Sequence, residues 1–338
     1  MKTPFVIAEI AQAHDGNLNI AHSFIDAVSQ TKAADAIKFQ THLAEEESSP
    51  SENWRKKFSN LNESRFEYWK RMEFDIEEWR QLKKHCDDVG LEFISSPFSI
   101  KAAQMLNSIG MQTWKIASGE VTNLPLIDYI ASIKNQRFII STGLCNAEEL
   151  QLCLDAINQY DNQVDILSCV SKYPSPLEEI DLDLMLEMKT KYGVGVGLSD
   201  HSASIYPCLA AYTLGATVLE VHVTFHKDFF GPDNPASLSL EELKELRNGL
   251  TQLESIVHKK AVSDINNLEV MRSLFLKSII INTELPKGSI LKMEDLAFKK
   301  PGNGISASQY KDIIGCKLIN SKSKGDLLTK KDLEKSSL

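Results

Sequence analysis

Short apolar, β-branched segments alternate with helical patterns along the first 258 residues. Eight segments are predicted as strands: 5–11, 36–41, 91–96, 113–118, 137–142, 164–170, 194–199 and 218–224. Helical patterns lie between and after them, among others at 19–33, 74–89, 99–109, 146–159, 204–214 and 239–258. Continuous apolar strands that alternate with helices are typical of a parallel sheet covered on both faces. Eight such units in a segment of this length favour a closed (β/α)8 barrel over an open sheet.

The charge distribution predicts a domain boundary near residue 260. The 338 residues carry a formal net charge of −9, whereas residues 259–338 alone carry +6. A change of sign of this kind is typical of a boundary between domains. We therefore predict a barrel domain at 1–258, a linker at 259–275 and a small domain at 276–338.

The small domain contains a near-repeat, and the barrel contains an insertion. Residues 287–296 and 324–333 each place a Lys-Gly turn before an apolar run and end in Asp-Leu, which predicts a small pseudo-symmetric, β-rich domain. Residues 45–73 form a long polar insertion after the second strand, with several aromatic side chains. Loops of this length are usually functional, so we expect the insertion to act as a lid or as a dimer contact.

Composition excludes several classes of protein. The chain is 43% hydrophobic and 25% charged, as in soluble globular proteins, and its acidic balance argues against binding to nucleic acid or to a membrane surface. It has no apolar run long enough to span a bilayer. Its six cysteines form no CxxC pair, which favours a reducing, cytoplasmic location. The absence of GxGxxG, P-loop and GxSxG motifs argues against dinucleotide oxidoreductases, P-loop NTPases and α/β-hydrolases.

Two lysines lie inside predicted apolar strands. Lys38 and Lys115 would be costly to bury without a partner. They predict an anionic ligand bearing phosphate or carboxylate, and a structural ion pair with Glu9 or Glu120 is the alternative. Because barrel active sites lie at the C-terminal ends of the strands, hydroxyls near those ends would join the lysines. These hydroxyls belong to Ser96, Ser118, Ser141, Ser171 and Ser199.

Two histidines stand at the ends of the seventh and eighth predicted strands, which are neighbours in a closed barrel. His201 and His222 predict a divalent metal site whose other positions are filled by water or substrate, as suits Mn²⁺ or Mg²⁺. The alternative is a pair of hydrogen-bonded core histidines. Glu9, Glu120 and Asp233 are candidates for proton transfer or for binding substrate hydroxyls.

Ten segments, in order along nearly the whole chain, resemble the sialic acid synthase (NeuB) family, whose members carry a C-terminal SAF (antifreeze-like) domain. The segments are AEIAQAHDGN (8–17), IKFQTH (37–42), SSPF (95–98), KIASGE (115–120), STG (141–143), YPSP (173–176), GLSDHS (197–202), VHVTF (221–225), GPDNPASL (231–238) and KKPGNGIS (299–306).

The resemblance implies an enzyme that condenses phosphoenolpyruvate (PEP) with N-acetylmannosamine or a related N-acyl sugar. The products would be a nine-carbon 2-keto sugar acid (a nonulosonic acid) and phosphate. The resemblance also implies a divalent ion, Mn²⁺ with Mg²⁺ or Co²⁺ as alternatives, and a domain-swapped homodimer in which each SAF domain covers the partner's barrel.

Three alternatives stand beside this interpretation. Within the family, the chain could be a legionaminic or pseudaminic acid synthase acting on a 2,4-diacetamido-2,4,6-trideoxyhexose. A PEP-dependent 3-deoxy-aldulosonate synthase is a more distant enzyme, and it lacks the SAF-like tail. The third alternative is a non-catalytic carbohydrate-binding or ice-binding protein.

The resemblance also assigns roles to residues. It places Glu120 near the reacting carbons for proton transfer, with Lys115 in the catalytic set as well as in the PEP site with Lys38 and the five serines. Glu9, also in the catalytic set, and Asp233 would contact the sugar or metal-bound water, and Tyr173 would lie beside the substrate.

The chain departs from the family pattern at three positions. Lys300, expected to reach the partner chain's sugar site, replaces an arginine and so loses the planar fork. Ser171 replaces an asparagine and Ser96 a threonine, and both keep a hydrogen-bonding group. We therefore expect PEP binding to survive, and the sugar-binding side to be the part that differs.

Overall fold

The computed structural model describes residues 3–49, 51–54, 64–229, 231–257 and 265–334, with residues 265–267 described by their backbone alone. The chain divides into two compact units, Met1–His258 and Lys259–Leu338. Within the described residues, no helix has the length and apolar character needed to cross a membrane.

The first unit is a closed barrel of eight parallel strands. Each strand pairs with the next, and β1 pairs with β8 as well as with β2, which closes the barrel. This confirms the predicted (β/α)8 fold. The strands are β1 Phe5–Ala11, β2 Ala36–Thr41, β3 Glu92–Pro97, β4 Thr113–Ile116, β5 Arg137–Ser141, β6 Gln163–Cys169, β7 Gly195–Asp200 and β8 Val218–Thr224, with a two-residue β9 (Leu238–Ser239) beside β8.

Helices connect and surround the strands. Sequence signals set their ends: in α4, Asp75 and Glu78 form a capping box at the start, and Gly90 takes a left-handed conformation at the end. The helices of this unit are α1 Leu18–Thr31, α2 Ala44–Glu47, α3 Arg65–Met72, α4 Ile76–Val89, α5 Ile100–Ser108, α6 Leu124–Ala131, α7 Ala147–Asn158, α8 Leu182–Tyr192, α9 Tyr206–Thr213 and α10 Leu240–Val257.

The barrel interior changes from apolar to polar along the strands. Its apolar layer is fully buried and consists of Ile7, Ala36, Ile94, Ile139, Leu167 and Val218. Because side chains alternate along a strand, the position two residues further on also points inward. On successive strands those next inward positions hold Glu9, Lys38, Ser96, Lys115, Ser141, Cys169, Ser199 and Glu220. A polar layer therefore lies directly on the apolar one, toward the C-terminal ends of the strands.

The insertion at 45–73 contains two short helices, α2 and α3. Tyr68, Trp69 and Met72 of α3 pack with Ala44 of α2 in a small cluster of their own. Residues 50 and 55–63 of the insertion lie outside the described residues.

The second unit is small and rich in β structure. Its elements are α11 Ile265–Phe275, β10 Ser278–Ile281, β11 Leu296–Lys299, α12 Tyr310–Ile313, β12 Lys317–Leu318 and β13 Leu333–Glu334. The near-repeat has a structural counterpart: Gly288 and Gly325 both have a positive φ, and each is followed by a 3₁₀ turn and then a strand. Helix α11 occupies most of the predicted linker 259–275, whose first residues, 259–264, lie outside the described part.

His14, in the loop after β1, is a buried core residue, and it gives the protein a predictable sensitivity to acid. Its ring lies 4.7 Å from that of Phe74, and its Nδ1 accepts the backbone N–H of Gly16 at 3.1 Å. Burial lowers the pKa of His14 to about 3. As the pH falls below the ordinary histidine value, the unfolded chain therefore takes up a proton that the folded chain refuses, and stability decreases.

We expect the free energy of unfolding to fall with decreasing pH between 6.5 and 4, with His14 contributing about 1.4 kcal/mol per pH unit. Urea unfolding across this range should show a shallower dependence for His14→Gln. His226→Gln is the control, because the His226 side chain is 70% exposed. Equal slopes for wild type and His14→Gln would contradict the assignment.

Candidate active site

A cavity of about 860 Å³ opens at the C-terminal ends of the barrel strands. Residues that follow six of the eight strands line its wall, such as Gln12 after β1, Phe98 after β3 and Ala117 after β4. The insertion supplies much of one side, with Glu47, Trp54, Arg65, Tyr68 and Trp69. The insertion is therefore part of the cavity wall, as a lid would be.

The polar layer of the barrel contains a buried cluster of two lysines and two glutamates. Lys38 Nζ lies 2.7 Å from Glu9 Oε2 and 3.9 Å from Glu220 Oε2, and it donates to Ser96 Oγ at 3.3 Å. The ion pair with Glu9, raised as an alternative from the sequence, is thus present. All four of these residues are at least 96% buried.

Lys115 is the second cation of this cluster. Its Nζ donates to Ser141 Oγ at 2.7 Å and lies 3.9 Å from Glu220 Oε1. Ser199 Oγ donates to the same Glu220 oxygen at 3.1 Å. Glu220 therefore lies between the two lysines, and serine hydroxyls border the cluster.

Burial and charge oppose each other in this cluster. Burial raises the pKa of Glu9 to about 7, although Lys38 acts in the opposite sense. Burial lowers the pKa of Lys115, with Glu220 opposing the shift. For Lys38, the carboxylates of Glu220 and Glu9 outweigh burial and raise the pKa. The cluster is therefore held together by mutual charge, and its ionisation depends on every member.

Next to the cluster, the predicted residues Ser171 and Glu120 line the cavity. Ser118 and Ser171 have their Oγ atoms 3.2 Å apart, although they come from different βα loops. Glu120 lines the cavity and accepts a hydrogen bond from Asn123 Nδ2 at 2.8 Å. Burial raises the pKa of Glu120, so its carboxyl is suited to proton transfer nearer to neutral pH than an exposed glutamate.

His201 and His222 lie together beside Tyr173, which lines the cavity. Their ring centroids are 5.1 Å apart, and the ring of Tyr173 stacks on His201 at 4.1 Å. His201 Nδ1 lies 2.8 Å from the carbonyl oxygen of Val170, which fixes that nitrogen as the donor and leaves Nε2 as the acceptor. Burial lowers the pKa of His201 to about 4, so the ring is neutral at pH 7.

This arrangement has the chemistry of a metal-binding pair. Histidine ligands bind as neutral imidazoles, and they usually donate the other ring N–H to a carbonyl or carboxylate. Among the described residues, no group of three or more His, Cys, Asp and Glu side chains is arranged to hold a metal ion. The remaining coordination positions would therefore be filled by water or substrate.

Comparison with known proteins identifies the family. The NeuB family matches residues 24–261, and the SAF domain matches residues 277–334. The chain belongs to the NeuB family.

Members of the NeuB family from several bacteria are similar to the chain. It is 34% identical to the N,N'-diacetyllegionaminic acid synthase of Campylobacter jejuni, over 93% of this chain and 96% of the relative. It is 31% identical to the enzyme of the same name from Legionella pneumophila, over 98% and 95%. The crystal structure of an N-acetylneuraminic acid synthetase from Leptospira borgpetersenii matches 81% of this chain and 93% of its own, with a TM-score of 0.68 and 28% identity. The chain is therefore a NeuB-family synthase, an enzyme rather than a binding module.

The barrel brings together most of the residues predicted from the sequence. Contacts connect Glu9, Lys38 and Ser96, and further contacts connect Lys115, Ser141 and Ser199 through Glu220. Ser118 and Ser171 lie beside each other, His201 stacks on Tyr173 while His222 meets it edge-on, and Glu120 and Asp233 line the cavity. Lys300 belongs to the second unit, where it is exposed and its Nζ lies 5.0 Å from the ring centre of Phe275.

Sequence reasoning missed residues that the structure adds to this NeuB site. Glu220 is the clearest, and its signal was present: it is a carboxylate inside the apolar strand β8, two residues before His222. The same alternation places Cys169 inward on β6. Gln40 donates to Glu9 Oε1 at 3.1 Å, and Asn123 donates to Glu120 Oε2. No sequence pattern indicates either hydrogen bond, because each depends on how the folded chain places the two side chains.

Proposed function

We propose that the chain condenses PEP with the open-chain aldehyde of an N-acyl amino sugar, giving a nonulosonic acid and phosphate. The observation that carries this proposal is the pair of buried lysines with serine hydroxyls in the polar layer of the barrel, which lies beneath the strand ends where the large cavity opens. Such a base suits a small dianion, and the cavity above it has room for a sugar.

PEP would bind at the base of the cavity. Lys38 and Lys115 would supply the positive charge for its phosphate and carboxylate. Hydroxyl donors would come from Ser96, Ser118, Ser141, Ser171 and Ser199. The contacts of the lysines with Ser96 and Ser141 support this assignment, because they hold ammonium and hydroxyl donors within one small volume.

In the proposed reaction, C3 of PEP forms the new bond to the aldehyde carbon, and the aldehyde oxygen takes up a proton. Water then adds to C2 and gives up a proton. The C2–O bond to phosphate breaks, which releases phosphate and leaves a ketone at C2. We assign proton transfer to Glu120 and contact with the sugar to Glu9, Tyr173 and Asp233.

We propose that His201 and His222 hold a divalent ion, Mn²⁺ with Mg²⁺ or Co²⁺ as alternatives. When bound, the ion would polarise the aldehyde carbonyl as a Lewis acid. The neutral His201 ring, oriented by the Val170 carbonyl, supports this assignment.

The charges of the cavity wall favour an uncharged acceptor over a sugar phosphate. Glu46, Glu47, Glu52, Glu120 and Asp233 all line the cavity. The cationic side chains on the described wall are Arg65, which pairs with Glu52 at 2.9 Å, and Lys172, which pairs with Glu179 at 2.5 Å. A phosphate on the acceptor would face this acidic surface at a cost.

We propose a 2,4-diacetamido-2,4,6-trideoxyhexose as the acceptor, with N-acetylmannosamine as the second candidate. The names of the two legionaminic acid synthases support the first. Aromatic side chains on the wall, such as Trp54, Trp69 and Phe98, also suit the methyl groups of a deoxy sugar with two acetamido groups.

The remaining assignments are of location and assembly. We propose a cytoplasmic homodimer in which Lys300 of one copy contacts the acceptor bound by the other. Six cysteines without a disulfide support a reducing compartment, and the exposure of Lys300 in its own unit leaves it accessible.

Phosphate release from PEP tests the proposal. With Mn²⁺ and a panel of 2,4-diacetamido-trideoxyhexoses, N-acetylmannosamine and N-acetylmannosamine 6-phosphate, we expect turnover with a neutral sugar. The value of kcat/KM for the 6-phosphate should be at least about 5-fold lower, since like charges at partly exposed positions cost on the order of 1 kcal/mol or more. Preference for the phosphorylated sugar would contradict the proposed acceptor, and no turnover with any sugar would contradict the reaction.

A further inference from the structure

Asn123 stands at the start of helix α6 but does not cap it. An asparagine at this position ordinarily accepts hydrogen bonds from the backbone N–H groups of the first turn. Asn17 does so at α1, with bonds of 2.9 and 3.2 Å, and Asn146 does so at α7, with bonds of 2.9 and 3.0 Å. At α6, which is described along its whole length, the Asn123 side chain makes no such bond.

The amide of Asn123 is directed to Glu120 instead. Its Nδ2 donates to Glu120 Oε2 at 2.8 Å, and the backbone N–H of Asn123 donates to the Glu120 carbonyl at 2.9 Å. Glu120 ends the 3₁₀ turn Ser118–Glu120 that follows β4, and both side chains line the cavity. A residue suited to stabilising the helix is therefore used to hold a carboxyl group at the site.

The hydrogen bond from Asn123 is one of four influences on the pKa of Glu120. Burial raises the pKa of Glu120, the bond from Asn123 lowers it, Glu47 raises it and His42 lowers it. His42 Nδ1 and Glu47 Oε1 lie 2.7 Å apart, so the two groups form a hydrogen-bonded pair whose effects on the pKa of Glu120 oppose each other. Asn123 is thus the direct hydrogen-bond donor that favours the ionised carboxyl in one fixed orientation.

We propose that Asn123 is a positioning residue, which orients the Glu120 carboxyl in the cavity for proton transfer to and from the acceptor. This inference rests on the proposed function, because it concerns the same reaction. A side chain that gives up its local stabilising bond for a bond within a site is typical of functional positions.

Two matched alanine variants separate positioning from stability. Asn123→Ala should lower kcat about 10-fold or more, as loss of a hydrogen bond to a charged group predicts, while KM for PEP stays within about 2-fold and Tm within about 1 °C. Asn146→Ala removes the same kind of side chain from a true cap, so its Tm should fall by about 2 °C while kcat stays unchanged.

The pH profile gives a readout that a purely structural role would not move. Without the amide donor, the pKa of Glu120 rises, so the limb of the kcat profile that depends on Glu120 should move to higher pH by about one unit. Asn123→Gln, which keeps a donor, should recover part of the loss.

Each contrary result has a distinct meaning. An active wild type with unchanged kcat and pH profile in Asn123→Ala would overturn this role and leave the proposed function intact. A fall in Tm equal to that of Asn146→Ala, with no shift of the pH limb, would assign Asn123 to helix stability. Wild-type protein without turnover on the whole acceptor panel would overturn the proposed function and this role together.

Discussion

Replacing Glu220 by leucine is expected to lower the free energy of unfolding by about 3–5 kcal/mol, the range for removing one partner from a buried ion cluster. Glu220 is 4% exposed and lies 3.9 Å from both lysine ammonium groups. Leucine would remove the carboxylate that pairs with Lys115, and would leave Lys38 in its ion pair with Glu9. Urea unfolding at pH 7 measures the effect.

The pH dependence of this loss identifies its cause. A stranded lysine has a lowered pKa in the folded state, so the unfolded chain binds the extra proton and the deficit shrinks as pH rises toward 10. Glu220→Gln, which keeps a polar group for Ser199, should cost less. Glu241→Leu is the control, because it removes an exposed partner of Lys244 and should leave the unfolding midpoint nearly unchanged. A Glu220→Leu protein as stable as wild type would mean that the lysines are not held by charge.

Removing divalent metal is expected to lower turnover by about 10³-fold or more, because stabilisation of a developing oxyanion by a Lewis acid is worth several kcal/mol. Phosphate release after EDTA treatment and gel filtration measures the loss, and Mn²⁺ should restore it. His201→Gln and His222→Gln should reproduce the loss, and Mn²⁺ should rescue neither variant fully.

A histidine elsewhere in the barrel provides the control. His85 of α4 contacts His22 of α1 with 2.9 Å between their Nδ1 atoms, and it does not line the cavity. His85→Gln should therefore keep its response to EDTA and Mn²⁺. Full activity of wild-type protein in chelator would remove the metal assignment.

Much of the barrel could be predicted because its signal is local. Strands β1, β2 and β8 begin and end where the apolar segments do, and the other five differ by one or two residues at their ends. In β1, Glu9 stands two residues after Ile7, so the period of two places that carboxylate on the same inward face. The same period of two would have assigned Glu220, had it been applied to the interior of β8 and not only to the end of the strand.

The pairing of charges could not be predicted from periodicity. Lys38 lies beside Glu9 because β1 and β2 are neighbours with Glu9 and Lys38 in register. Glu220 reaches both lysines because barrel closure brings β8 to β1 and faces it toward β4 across the interior. Register and closure are properties of the whole sheet, and a single strand does not contain them.

The alternation of strands and helices, most of the polar residues at the strand ends and the family resemblance could all be read from the sequence, since each depends on residues close together in the chain or on ordered motifs. Folding in three dimensions sets which lysine meets which carboxylate, brings the insertion to the cavity and gives Asn123 a bond to Glu120 in place of a cap on α6. The reason is physical: a side chain that can make either of two hydrogen bonds makes the one its folded neighbours offer.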